Sequence, residues 1–128
     1  MLRPELKERD REMNYTLLLY TNPADAAHMT PDDWAAEKEL YGAYIGALQE
    51  AGVMRGTDWL LPAATATTIS MKDGEERIQD GPFAETKETL GGFFQLEVPD
   101  LDAAIAWAKK CPAARHGKVE IRASAMEG

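Results

Sequence analysis

Residues Asp80–Arg122 read DGPFAETKETLGGFFQLEVPDLDAAIAWAKKCPAARHGKVEIR, and the punctuation of this stretch sets the architecture. Phe93–Val98 alternates, with Phe94, Leu96 and Val98 on one face and Phe93, Gln95 and Glu97 on the other, so it is a strand, stopped by Pro99. Asp100 is placed to N-cap a helix in which Leu101, Ala104, Ile105 and Ala108 share one face. Lys109 and Lys110 suit its C-terminal dipole, and Pro112 ends it. Lys118–Arg122 alternates again, with Val119 and Ile121 inward. The unit is strand, helix, strand.

Working back towards the N-terminus, the same order recurs. Tyr15–Tyr20 (YTLLLY) is an apolar run of strand length, ended by Thr21-Asn22-Pro23. After a polar loop, Thr30 is an N-cap with Pro31 at N1 and Asp32 and Asp33 in the first turn. Trp34, Tyr41, Tyr44, Ile45 and Leu48 line one face of the helix that follows, and Gly52 closes it. A strand is expected within Val53–Leu61 before Pro62. Between the two units, Thr65–Met71 and Glu75–Gln79 flank Asp73-Gly74, a hairpin signal because both turn residues need positive φ. The DGPF segment is loop, with one helical turn expected in Glu85–Thr89, and Gly91-Gly92 reads as a bend entering the Phe93 strand.

Two such units predict an α+β sandwich: a mostly antiparallel sheet with both helices on one face. The other face carries Phe, Tyr or Leu on several strands, and two helices cannot cover both sides. A homodimer through the bare sheet face is therefore expected. Residues 1–13 read as a charged arm, with four basic and four acidic residues, ahead of a single domain over 14–128. That arm lacks the apolar core of a secretory signal.

Composition narrows the function classes. With 128 residues there is room for one core. A net charge of −8 opposes nucleic acid and anionic membrane surfaces as main partners. No apolar run approaches the ~20 residues of a bilayer span. Cys111 is the single cysteine, which excludes an intrachain disulfide and fits a cytoplasmic location. There is no CxxC, HExxH or His cluster and no Walker or GxGxxG loop, so no metal site and no cofactor is expected.

The long DGPF run, together with TLLLY, QEAGV and LPAATATTI, closely resembles the DGPF-domain proteins, a branch of the YCII-related family, over Met13–Ala123. The resemblance implies a ferredoxin-like fold of the dimeric α/β-barrel type. It implies little about reaction, since fold and function are separable. The wider family is similar in carrying a His in the first helix and an Asp before the Pro that follows the second. Placed by the AG and Pro landmarks, this sequence has Tyr41 and Cys111 there.

Six residues are candidates for a site. Asp80 is a general base held by the Gly-Pro turn, or a turn-capping carboxylate. His116 is the one side chain normally titrating near neutrality, or a loop hydrogen-bonder at a strand start. These two are the catalytic candidates. Lys87 and Arg115 would contact an anion, and Glu85 a polar ligand, unless they are solvated surface. Tyr41 lines a pocket between helix and sheet, or is core with its hydroxyl at the rim. Cys111, at a helix C-terminus where the dipole opposes a thiolate, reads as a buried core residue. The function expected is binding of a small, anionic organic ligand, with cofactor-independent proton transfer of the isomerase or lyase type. A non-catalytic sensor or interaction module is the alternative.

Overall fold

A computed structural model describes residues 13–126. The elements are β1 (Met13–Thr21), a one-turn α1 (Pro23–Ala26), α2 (Pro31–Ala51), β2 (Met54–Trp59), β3 (Thr67–Ser70), β4 (Arg77–Asp80), β5 (Thr89–Val98), α3 (Leu101–Lys110) and β6 (Lys118–Ala123). Apart from Met13, which opens β1, the charged arm lies outside the described residues.

Four strands form the main sheet in the order β2-β5-β1-β6, with every neighbouring pair antiparallel. β1 and β2 therefore run parallel with β5 between them, and β5 and β6 run parallel with β1 between them. These are two split β-α-β units, the ferredoxin-like arrangement of an α+β protein. The alternation read in the sequence decides which side the helices occupy. Tyr15, Leu17, Leu19, Phe94, Leu96 and Val98 are buried on one face, in one cluster with Tyr44 and Leu48 of α2 and Ala104 and Ala108 of α3. Val119 and Ile121 of β6 pack against the same cluster. The opposite face presents Leu18, Tyr20 and Phe93 among polar groups, including an Arg55–Glu97 pair in which Nε donates to Oε1 at 2.7 Å.

The helix ends follow their sequence signals. Thr30 and Asp33 form a reciprocal capping box, Pro31 opens α2, and Gly52 closes it in the left-handed region at φ 73°. The Asp100 carboxylate accepts from the Ala103 N–H at 2.9 Å at the start of α3.

Three local readings are corrected. The polar loop before Thr30 contains the short α1, capped by the Asn22 side chain. Glu85–Thr89 is not a helical turn, because Thr89 is already committed to β5 and pairs with Thr21. β5 thus starts before Gly91-Gly92, and Gly91 is the extra residue of a bulge between the Leu19–Gly92 and Tyr20–Leu90 pairs. The β3–β4 ribbon forms as read, and Asp73 and Gly74 adopt φ of 57° and 76°. Its last pair is Ser70–Arg77, so the connection is longer than a two-residue turn.

Among the described residues, no helix is long and apolar enough to cross a membrane.

Candidate functional site

The antiparallel pairings bring several segments to one end of the main sheet. β1 and β2 finish there, at Thr21 and Trp59, and β5 and β6 begin there, at Thr89 and Lys118. α2 runs back over the sheet from β1, so its first turns lie at this end. The DGPF loop leads into β5, and the Pro112–Arg115 turn leads through His116 into β6. Residues far apart in sequence thus become neighbours.

His116 and Glu37 make the central contact. The imidazole Nε2 lies 3.3 Å from Glu37 Oε2, with the His116 side chain half exposed and that of Glu37 19% exposed. Glu37 sits four residues before Tyr41 on α2, so the two share a helix face. The Tyr41 hydroxyl lies beside Cys111, Glu37 and the backbone of Ala113. Burial first, then the neighbouring Cys111 and Glu37 charges, push the Tyr41 hydroxyl well above the ordinary phenol range. Burial likewise pushes the Cys111 thiol up to about 11, against a lowering by the Ala113 N–H. Both groups are neutral at physiological pH.

His116 is held by backbone geometry. Its N–H, and that of Gly117, donate to the Ala113 carbonyl, and Gly117 packs so closely on the end of β1 that an added Cβ would overlap the Tyr20 carbonyl oxygen. Two residues on, Lys118 donates to Glu88 Oε1 at 2.8 Å, which ties the DGPF loop to β6.

The other sequence candidates make no direct contact with this pair among the described residues. Asp80 pairs with Thr67 at the root of the β3–β4 ribbon; it is exposed, and its carboxylate forms no hydrogen bond or ion pair among the described residues. Its loop is fixed instead by backbone: Gly81 donates to the Ala66 carbonyl, and Thr68 Oγ1 donates to the Gly81 carbonyl at 2.9 Å. Glu85 lines an open hollow of about 380 Å³ with Ala64, Pro82, Thr86 and Thr89. Lys87 and Arg115 are exposed. The structure thus joins His116 directly to Glu37, and through Glu37 to Tyr41, but gives Asp80 no direct contact with His116. Among the described residues, no three His, Cys, Asp or Glu side chains gather into a metal-holding group.

Glu37 escaped the sequence reading, although a signal was present. It is a carboxylate set between Trp34 and Tyr41 on the face that turns to the sheet. Lys118 carried no signal, because its meaning depends on Glu88, 30 residues away.

Comparison with known proteins adds a family. The YCII-related domain matches residues 13–124, essentially every described residue. The chain belongs to the YCII-related family. It is also similar to an uncharacterized protein of Rhizobium meliloti (strain 1021), 38% identical over 117 residues, which span 89% of this chain and 94% of the relative. In this YCII-related protein, Tyr41 and Cys111 lie close to each other. Cys111 is buried and Tyr41 partly buried, and a carboxylate–imidazole contact is supplied one helical turn away, by Glu37 with His116.

Proposed function

We propose that this YCII-related protein binds a small organic acid at the His116 end of its sheet and exchanges a proton with it, without a cofactor, as an isomerase or lyase does. The 3.3 Å His116–Glu37 contact carries the reading. The Glu37 carboxylate orients the imidazole, while the exposed side of the ring stays open to a ligand. Arg115, adjacent and exposed, is the guanidinium that would hold the ligand's carboxylate. Asp80, at the end of β4, and Lys87, in the loop that follows, are the second carboxylate and the second cation that this reading would call on. The Asp80-Gly81-Pro82-Phe83 turn supports assignment to the DGPF branch. Leu18, Tyr20 and Phe93, on the face that neither helix covers, support a homodimer, and the lone reduced cysteine supports a cytoplasmic home.

Native mass spectrometry of freshly purified protein reads subunit number and any co-purifying acid together. Exchange of the α-proton of enolisable carboxylic acids in D₂O, followed by NMR, then reads the chemistry. His116→Ala and Glu37→Gln should each slow exchange by about 10²-fold or more. Unchanged exchange in both variants defeats the proton-transfer reading.

A non-catalytic sensor is the second reading. The neutral Tyr41–Cys111 pair favours it, since neither group gains or loses a proton near pH 7. Binding that survives in wild-type protein with no exchange of any acid would establish it.

A further inference from the structure

We propose that Trp34 and Trp59 form the ring-binding half of this site, so that its ligand is a flat aromatic carboxylate. The inference rests on the reading of the His116 end as an acid-binding site, and it adds the class of ligand.

Trp34 and Trp59 are 39% and 70% exposed, with ring centroids 6.3 Å apart and planes inclined by 33°. Two indoles in mutual contact at the surface expose a broad apolar area that a lone surface residue does not. Their position connects them to the chemistry. Trp34 precedes Glu37 by three residues on α2, and Tyr41 follows Glu37 by four, so one helix face carries indole, carboxylate–imidazole and hydroxyl in order. Neighbouring positions on that face are ~5–6 Å apart, the span of one ring with its carboxylate. Trp59 ends β2 at the same end of the sheet, opposite Gly92.

The support beneath the indoles is rigid. Trp59 N–H donates to its neighbour's Asp58 Oδ1 at 2.8 Å, and Leu60 N–H donates to the Gly91 carbonyl at 2.9 Å. Beneath them, a Cβ on Gly92 would lie 2.7 Å from the Asp58 carbonyl oxygen, so β2 and β5 meet closely just under Trp59. Electron-rich indole faces also attract cations, but the nearby acids are already engaged. Asp58 accepts from the Trp59 N–H, and Asp33 is held in the α2 capping box. The exposed Arg115 guanidinium and the open side of the Glu37-paired His116 ring are the groups that would receive a carboxylate. A planar ring against the Trp34 side of the indole pair, one helical turn from Glu37, with its acid group toward His116, satisfies both halves.

Benzoate and cyclohexanecarboxylate separate ring stacking from acid binding, because they share a carbon count and a charge and differ in flatness. Their affinities for the full chain are measured by ligand-observed NMR titration, with tetramethylammonium as the cationic probe. Benzoate should bind saturably and at least tenfold tighter than cyclohexanecarboxylate. Trp59→Leu and Trp34→Leu should each erase that preference, and Trp59→Phe, which keeps a ring, should restore most of it. His116→Ala should weaken both acids alike. Equal affinity for the two acids, no saturable binding of either, a preference that survives both leucine variants, or tighter binding of tetramethylammonium overturns the proposal. If the ring preference follows the tryptophans while His116→Ala changes nothing, the indole site stands and the acid-binding role of His116 fails instead.

Discussion

The Tyr44 hydroxyl donates a 2.8 Å hydrogen bond to the Trp107 backbone carbonyl, across 63 positions of sequence. This single bond ties the middle of α2 to the last turn of α3, where helix carbonyls run out of intrahelical donors. The Tyr44 ring meets Phe94 edge-on at 5.1 Å and Trp107 at 6.3 Å, so it also seats both helices on the sheet. Burial keeps the hydroxyl protonated well above the ordinary range, so it acts as a donor at every physiological pH. Tyr44→Phe keeps the ring and orphans the Trp107 carbonyl. It should lower stability by about 1–2 kcal/mol, read as a lower urea midpoint at unchanged m value.

Two glycines should respond in opposite directions to the same change. Gly117→Ala forces a methyl group into the Tyr20 carbonyl, and a backbone atom in the central strand cannot step aside. A loss of about 2–3 kcal/mol is expected, together with displacement of His116. Gly46, inside α2, has open space where a Cβ would go, so Gly46→Ala should gain about 0.5–1 kcal/mol by lowering the entropy of the unfolded chain. Chemical denaturation of the two variants beside the parent checks both.

Alkaline pH should weaken the fold, and Cys111 should be the first group responsible. The folded protein holds the thiol proton up to about 11, while the unfolded chain releases it at the ordinary cysteine value near ~8.5. Between those limits the native state binds more protons than the unfolded state, so stability falls as pH rises and is fully retained below. The raised hydroxyls of Tyr41 and Tyr44 extend the decline upward. Cys111→Ala should flatten the decline in urea stability from pH 8.5 to 10.5. In the parent, iodoacetamide at pH 8 should label Cys111 only as fast as the chain opens, because the thiol is fully buried.

The ribbon turn gives a local test of backbone strain. Asp73 is the one non-glycine residue with positive φ among those described. Asp73→Asn should be nearly neutral, and Asp73→Val should cost about 1–2 kcal/mol, since a β-branched residue is excluded from that region. Thermal unfolding of the pair distinguishes the two outcomes.

Which residues face the core was legible because periodicity and caps are local. Phe94, Leu96 and Val98 had to share a side once the strand alternated, and Thr30 with Gly52 bounded α2 whatever lay above it. The start of β5 was not legible. Gly91-Gly92 looks like punctuation in a linear chain, and only pairing with β1 turns it into a bulge within a longer strand.

The sequence by itself determined the two strand–helix–strand units, the faces they bury and the family resemblance, since each follows from spacings of a few residues and from a long motif. It also supplied His116, Asp80 and Tyr41 as candidates by chemical type alone. Only the tertiary structure decided which of them meet. Antiparallel pairing of β1 with both β5 and β6 brings α2, the DGPF loop and the turn before β6 to one sheet end. There His116 meets Glu37, a residue 79 positions earlier, while Asp80 is left on the ribbon. Long-range pairing is a cooperative property of the folded chain. No local window contains it, and so the partner of the imidazole had to wait for the fold.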